Sequence, residues 1–383
     1  MHFAVDAHAI GRRLTGNEVY VRNLLDQYAA LDRDSRFTAY YSEPSACDHI
    51  PSCFEKRRVA INPFVRLGLD LARHLRRDAP DLIHVQYNAP LGCPVPVVVT
   101  VHDVSYLEHP EYFTRSRAWQ LRQTVARTVR RAALVLTPSE FSRQRIERAY
   151  GLDSSRIRVV PNAVSSVFRP IQRDQALGRV RRRNGIYSPF VLCVGDLQPR
   201  KNQVGLIDAF REMVQSTSQI SHDLVFCGKS TWHGEQVREA ARASGLSGRI
   251  HFTGFVSDEE LIDLYNAADL FVFPSFYEGF GLPILEAMAC GRAVACSNTS
   301  AMTEVANATA LLFDPYNRSQ MVRAMRDLLL DLELRTRMER LSLQRAASFT
   351  WQAAAQKTLE VYYEVAEQSR RVAATAVLPV APR

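Results

Sequence analysis

The chain has 383 residues, 46% of them hydrophobic and 23% charged, with a formal net charge of +8. That length suits two α/β domains of about 100–200 residues each, and that composition excludes a disordered or fibrous chain. No stretch approaches the roughly 18 consecutive apolar residues of a spanning helix, and the opening MHFAVDAHAIG lacks the basic start and apolar core of a signal peptide, so integral-membrane and secreted proteins are not expected.

In chain order, an apolar strand is predicted over His2 to Asp6, followed by a Gly-containing turn from Gly11 to Gly16 and a helix from Asn17 to Leu31. Strands at Leu82 to Gln86, Val95 to His102 and Leu134 to Thr137 alternate with helical patterns, notably an Arg-rich helix over Arg115 to Arg131. Another strand ends near Val159-Val160, and the charged, weakly patterned stretch Phe168 to Ser188 reads as an interdomain linker. A second series of buried-strand-length runs begins at Phe190 to Gly195. It continues through Leu224 to Gly228, Ile250 to Gly254, Leu270 to Pro274 and Ala293 to Ser297, with helices at Gln203 to Met213, Asp258 to Ala267 and Pro283 to Ala289. Strands separated by helices imply parallel β-α units, hence two Rossmann-like domains, 1–170 and 171–350, facing a central cleft. In such sheets ligands lie beyond the carboxyl ends of the strands. The amphipathic helix Trp351 to Arg371, with Leu359, Tyr362, Tyr363 and Ala366 on one side, is expected to pack back on the first domain, and the tail Val372 to Arg383 to fray.

Charge is uneven: residues 1–190 carry 29 Lys+Arg against 18 Asp+Glu, the remainder 19 against 22. A basic first half fits an anionic partner or surface, or simply solvated arginine-rich helix faces. Seven cysteines without a C-x-x-C pair suggest neither a disulfide framework nor a thiolate zinc site, in keeping with a reducing cytoplasm.

The most informative stretch is FPSFYEGFGLPILEAMA, residues 273–289, a strand running into a Gly-rich turn with Pro283 in the first turn of a helix. A loop of this kind offers free backbone N–H groups and the positive end of a helix, an anion site able to hold a diphosphate. Glu278 and Glu286 flank the turn, and a carboxylate there accepts hydrogen bonds from sugar or ribose hydroxyls; the plainer reading is an acid favourable near a helix start. VGDLQPRKN, residues 194–202, leaves the first strand of the second domain with adjacent cations Arg200 and Lys201. They are either a grip on phosphate oxygens or a solvated basic turn. His102 ends a strand of the first domain, as a partner for a substrate hydroxyl or as a structural histidine.

These segments together resemble the retaining glycosyltransferases of family 4, with the GT-B fold. The likeness extends to CSNTSAMTEVANATALLFDP after residue 295 and, in the first half, to LTGNEVYVRNLL, TVHDVSYLEHPEYF, LTPSEFSR and VVPNAV, a pattern most like bacterial mannosyltransferases that build surface polysaccharides. The resemblance implies Arg200 and Lys201 on the donor diphosphate, Glu286 on the nucleotide ribose, Glu278 on the donor sugar, and the amides of Phe280, Gly281 and Leu282 on sugar and phosphate. It further implies Gly16 in a loop over the diphosphate and His102 beside the transferred sugar. Where the family has a proline and a glycine around the glutamate matching Glu304, this chain has Thr303 and Asn307, so Glu304 is left out of the catalytic set.

The implied reaction is metal-independent transfer of a hexose, with mannose from GDP-mannose first, to a hydroxyl of a growing lipid-linked glycan with retention. No cofactor is implied besides the nucleotide-sugar donor. Other GDP-, UDP- or dTDP-sugars, and a GT-B nucleotide-sugar epimerase, are the alternatives. A nicotinamide dehydrogenase is disfavoured because no G-x-G-x-x-G follows the first strand, and no motif points to nucleic acid. Phe64 to Arg77 mixes apolar and basic residues at helical spacing, consistent either with docking on an anionic membrane surface, at the inner face of the cytoplasmic membrane, or with core packing under a solvated arginine face.

Overall fold

A computed structural model of the chain describes residues 1–12 and 16–376. The chain forms two units, one of residues 1–162 with the C-terminal segment from Trp351, the other Ala163–Thr350. The first is built on seven strands, β1 (His2–Asp6), β2 (Arg36–Tyr41), β3 (Glu55–Arg58), β4 (Leu82–Gln86), β5 (Val97–Thr100), β6 (Leu134–Thr137) and β7 (Ile157–Val159), in the order β3-β2-β1-β4-β5-β6-β7. The second has six, β8 (Phe190–Val194), β9 (Asp223–Cys227), β10 (Ile250–Gly254), β11 (Leu270–Phe273), β12 (Val294–Ser297) and β13 (Leu311–Phe313), in the order β10-β9-β8-β11-β12-β13. Every pairing is parallel.

Sheets covered by helices on both faces bury both sides of each central strand, and β4, β5, β6, β8 and β11 are accordingly buried along their whole length. Strand order reverses between β1 and β4 in the first sheet and between β8 and β11 in the second. The loops beyond the carboxyl ends of those strands are therefore the crevices where such folds take ligands.

The predicted boundary at residue 170 is corrected to Asn162/Ala163. The stretch read as a linker holds the helix Arg173–Asn184 of the second unit, part of whose charge is paired with buried carboxylates. Arg179 reaches both oxygens of buried Asp263 at 2.8 Å, and Arg173 reaches buried Asp269 at 2.5 Å.

The helix Trp351–Ala376 belongs to the first unit. Residues 377–383, part of the tail expected to fray, lie outside the described residues. Tyr362 packs against Phe3, Tyr28 and His84. A buried polar chain fastens this helix to the sheet. Tyr20 Oη lies 2.8 Å from Thr100 Oγ1, His84 Nε2 lies 2.7 Å from that same Oγ1, and His84 Nδ1 lies 2.6 Å from Tyr362 Oη.

Burial holds the His84 imidazole down at about 3, well below its ordinary 6.5, so the folded state keeps it neutral. Its contribution to stability is present in full above the ordinary value and is lost as pH falls toward about 3. At about pH 5 the loss from this group is about 2 kcal/mol. Urea unfolding at about pH 7 and pH 5 should show the midpoint fall, and His84→Gln should flatten the dependence. Equal slopes for wild type and variant would contradict this account.

Candidate active site

The second unit gathers its chemistry at the β8/β11 reversal. From β8 the chain passes through Gly195 into the short 3-10 turn Pro199–Lys201, and from β11 through residues 274–281 into the helix Leu282–Ala289. The loops are stitched together, with Phe276 N donating to Arg200 O at 2.8 Å and Arg200 Nη1 donating to Tyr277 O at 3.2 Å.

Glu278, 6% exposed, is held by both cations: Arg200 Nη1 lies 2.6 Å from its Oε2 and Lys201 Nζ 2.7 Å from its Oε1. Burial alone would raise this carboxyl; the two cations overcome that and hold it at about 2, so it is ionised at neutral pH. Lys201, 8% exposed, lies with Nζ 4.6 Å from the Phe273 ring centroid, and burial lowers its pKa against the pull of Glu278. Two cations facing one carboxylate leave one positive charge in excess, suited to an anionic ligand.

At the helix start Gly281 adopts φ +106°, a conformation side chains oppose, and a Cβ there would press on Ile284 Cδ1 at 3.2 Å. Its turn leaves the amides of Phe280, Gly281 and Leu282 without a hydrogen-bond acceptor among the described residues, as the first turn of a helix does unless capped. Pro283 fills a position where no N–H is needed. One turn further, Glu286 accepts a 2.8 Å hydrogen bond from Tyr265 Oη. Burial pushes the Glu286 carboxyl up to about 7, with the Tyr265 hydrogen bond opposing.

In the first unit, His102 follows β5. Its Nε2 lies 2.9 Å from Gln86 Oε1, and Gln86 Nε2 donates to Asn17 O at 3.1 Å. Since Gln86 turns its carbonyl oxygen to the ring, the His102 proton belongs on Nε2, leaving Nδ1 as an acceptor with no partner among the described residues. Burial holds this imidazole at about 4. His102 is thus anchored at one nitrogen and open at the other, so the two sequence readings are not exclusive. Gly16 is the first residue of the helix Gly16–Leu31, and residues 13–15 of the preceding turn lie outside the described residues. Among the described residues no group of three or more His, Cys, Asp or Glu side chains is placed to hold a metal ion.

Family models for "Glycosyl transferases group 1" and "Glycosyltransferase Family 4" match residues 179–344 and 14–167. O-antigen chain mannosyltransferase B of Escherichia coli is 33% identical over 265 residues, which are 69% of each chain. The chain belongs to glycosyltransferase family 4. The serotype-specific mannosyltransferase WbdA of Escherichia coli is 31% identical over 63% of this chain but only 30% of its own greater length. Among solved structures, the Anabaena protein HepE in complex with UDP and glucose superposes with a TM-score of 0.75 at 19% identity, covering 95% of this chain and 99% of that one. The fold of the glycosyltransferase is GT-B.

Three supporting groups of this glycosyltransferase escaped the sequence. Tyr265, on the helix Asp258–Ala267, is the partner of Glu286. Ser300 Oγ accepts the Glu278 amide at 3.0 Å, from the very segment where the chain departs from the family pattern, while Glu304 there is exposed. Gly228, after β9, lets the loop beyond β8 approach: Gly195 N donates to Cys227 O and Leu197 N to Lys229 O at 2.8 and 2.9 Å. Of the three, only a glycine directly after a strand carries any local signal.

For an acid whose folded pKa is raised from 4.5 to about 7, the unfolded chain ionises first, so stability declines as pH rises across that window. Glu286→Gln removes the titration while its carbonyl still accepts from Tyr265. Its Tm should exceed that of wild type at about pH 8 and match it near pH 4; a lower Tm at the higher pH would contradict this.

Proposed function

We propose that this family 4 glycosyltransferase moves mannose from GDP-mannose to a hydroxyl of a growing lipid-linked surface glycan, with retention at the anomeric carbon and without a metal ion. The observation carrying this reading is the basic pair and the open helix-start amides brought to one end of the second sheet, joined through Glu278. In the proposed mechanism Arg200, Lys201 and the amides of Phe280, Gly281 and Leu282 bind the donor diphosphate. They act most on the negative charge that grows there as the glycosidic bond breaks through an oxocarbenium-like state. The acceptor hydroxyl loses its proton to the departing phosphate oxygen, so no separate base is assigned. Glu278 binds donor-sugar hydroxyls, Glu286 the ribose, and Gly16 belongs with the diphosphate. His102, neutral with an open Nδ1, accepts a hydrogen bond from the transferred sugar. The mannosyltransferase names of the Escherichia coli relatives support the choice of sugar.

Purified protein incubated with GDP-, UDP- and dTDP-hexoses, with and without lipid-linked mannosyl oligosaccharide, tests the reading by mass spectrometry and NMR of the new linkage. GDP-mannose should be consumed chiefly when glycan is present, the new linkage should be α, and EDTA should not abolish transfer. Isomerisation of the sugar nucleotide without acceptor would establish an epimerase instead.

A place at the anionic inner face of the cytoplasmic membrane fits the segment from Phe64. Phe64 and Leu69 are 76% and 77% exposed, Val65 is exposed beside them, and Arg73, Arg76 and Arg77 follow on the helix Leu71–Asp78. Apolar side chains standing in solvent beside arginines match an anionic bilayer surface. Sedimentation with phosphatidylglycerol vesicles should carry the protein down in a salt-sensitive way, and Phe64→Ser with Leu69→Ser should reduce this. Equal binding to phosphatidylcholine vesicles would remove the proposal.

A further inference from the structure

The reversal between β1 and β4 in the first unit holds two buried charged groups that the described residues satisfy only in part. Asp6, at the end of β1, is 1% exposed. His8 turns its amide and ring to Asp6 Oδ1, at 3.2 and 3.0 Å, while Oδ2 has no donor among the described residues. Arg66 is 3% exposed, and its Nε and Nη1 have no acceptor among the described residues.

Arg66 opens a single π turn, Arg66–Asp70, closed by Leu71 N on Arg66 O. The wider turn lets Arg66 point inward in a segment where Phe64, Val65 and Leu69 point out, and such turns recur at functional sites. Leu91 N donates to Leu67 O at 2.6 Å, tying this turn to the loop after β4. That loop begins with Tyr87 at φ +61°, a strained conformation for an aromatic residue, and carries buried Asn88 Oδ1, also without a donor among the described residues.

Among the described residues no ion pair joins Asp6 to Arg66; burial would raise the Asp6 carboxyl, and His8 first, with Arg66 after it, holds it at about 2. The guanidinium therefore has donors to give and the carboxylate has a lone pair to fill. An anion would be repelled by Asp6 and a cation by Arg66. A hydroxyl, which donates and accepts at once, suits both.

We propose that Asp6 and Arg66 bind adjacent hydroxyls of the acceptor sugar at the β1/β4 reversal. This rests on the transfer reading above. Leaving such buried groups unfilled is costly, so an acceptor lacking the right hydroxyl is discriminated against strongly.

The test uses the full chain with GDP-mannose, an α-mannosyl disaccharide acceptor and its monodeoxy derivatives. Asp6→Asn and Arg66→Lys should each raise the acceptor KM by about tenfold or more, with donor KM and slow acceptor-free hydrolysis of the donor unchanged. In the wild-type protein at least one monodeoxy acceptor should show a penalty of the same size. Folded variants with the wild-type acceptor KM, or wild-type protein that uses every monodeoxy acceptor as well as the parent, would overturn the assignment; the second measurement stands even where a variant does not fold. Wild-type protein that glycosylates no acceptor while turning over donor would instead defeat the transfer reading, and this pair with it.

Discussion

Lys201→Ala is expected to lower kcat by about 10²–10³-fold with little change in donor KM, the signature of a group acting on charge that develops only in the transition state. Nζ sits over the Phe273 ring and against Glu278, so its position is set before any ligand arrives. Two of the three donors of its ammonium have no partner among the described residues. Lys201→Arg should not restore turnover. The stem runs beside Gly195, where even a Cβ would stand 3.1 Å from Lys201 Cε, and a planar guanidinium does not fit the space of an ammonium. Full turnover of Lys201→Ala at saturating donor would refute the leaving-group role, and a loss confined to donor KM would reassign the residue to ground-state binding.

Gly228→Ala is expected to destabilise the second unit by about 3 kcal/mol or more and to abolish activity with it. Gly228 has φ +153°, and a Cβ there would run into the backbone carbonyl of Gly195, which no rotamer change relieves. Displacing Gly195 breaks the run of hydrogen bonds between the loops after β8 and β9, including Lys229 N on Asp196 Oδ1 at 3.0 Å, and moves the turn that carries Arg200 and Lys201. Calorimetry should show a lower transition temperature, and kcat should fall in whatever fraction stays folded. A wild-type Tm with wild-type kcat would show that the two loops separate without cost.

The contrast between elements shows which physical signals are local. Leu82–Gln86 and Leu134–Thr137 stand where the apolar runs placed them, because a parallel strand must be apolar wherever helices cover it. The edge strand Glu55–Arg58, with sequence EKRR, has no such signal: one neighbour and a wet face permit any polar residue. Arg66 shows the same limit inside a helix. Helical spacing left the arginines of its segment either at an anionic membrane surface or on a solvated face, and a π turn, which residue spacing does not reveal, turns Arg66 inward.

From the chain alone came the α/β class, the division into two parallel-sheet units, the family, and the residue types clustered after the strands at 190–194 and 270–273, since each rests on apolar runs or turn chemistry within a few neighbouring residues. Only the folded arrangement decided which of those residues meet. Arg200 and Glu278 lie 78 positions apart and touch because β8 and β11 are neighbours in the sheet, although two strands separate them in sequence. Tyr265 on Glu286, Ser300 under Glu278, Gln86 on His102 and the unfilled Asp6 and Arg66 follow from the same cause: burial and partnership belong to strand order and packing, which contacts between distant residues create.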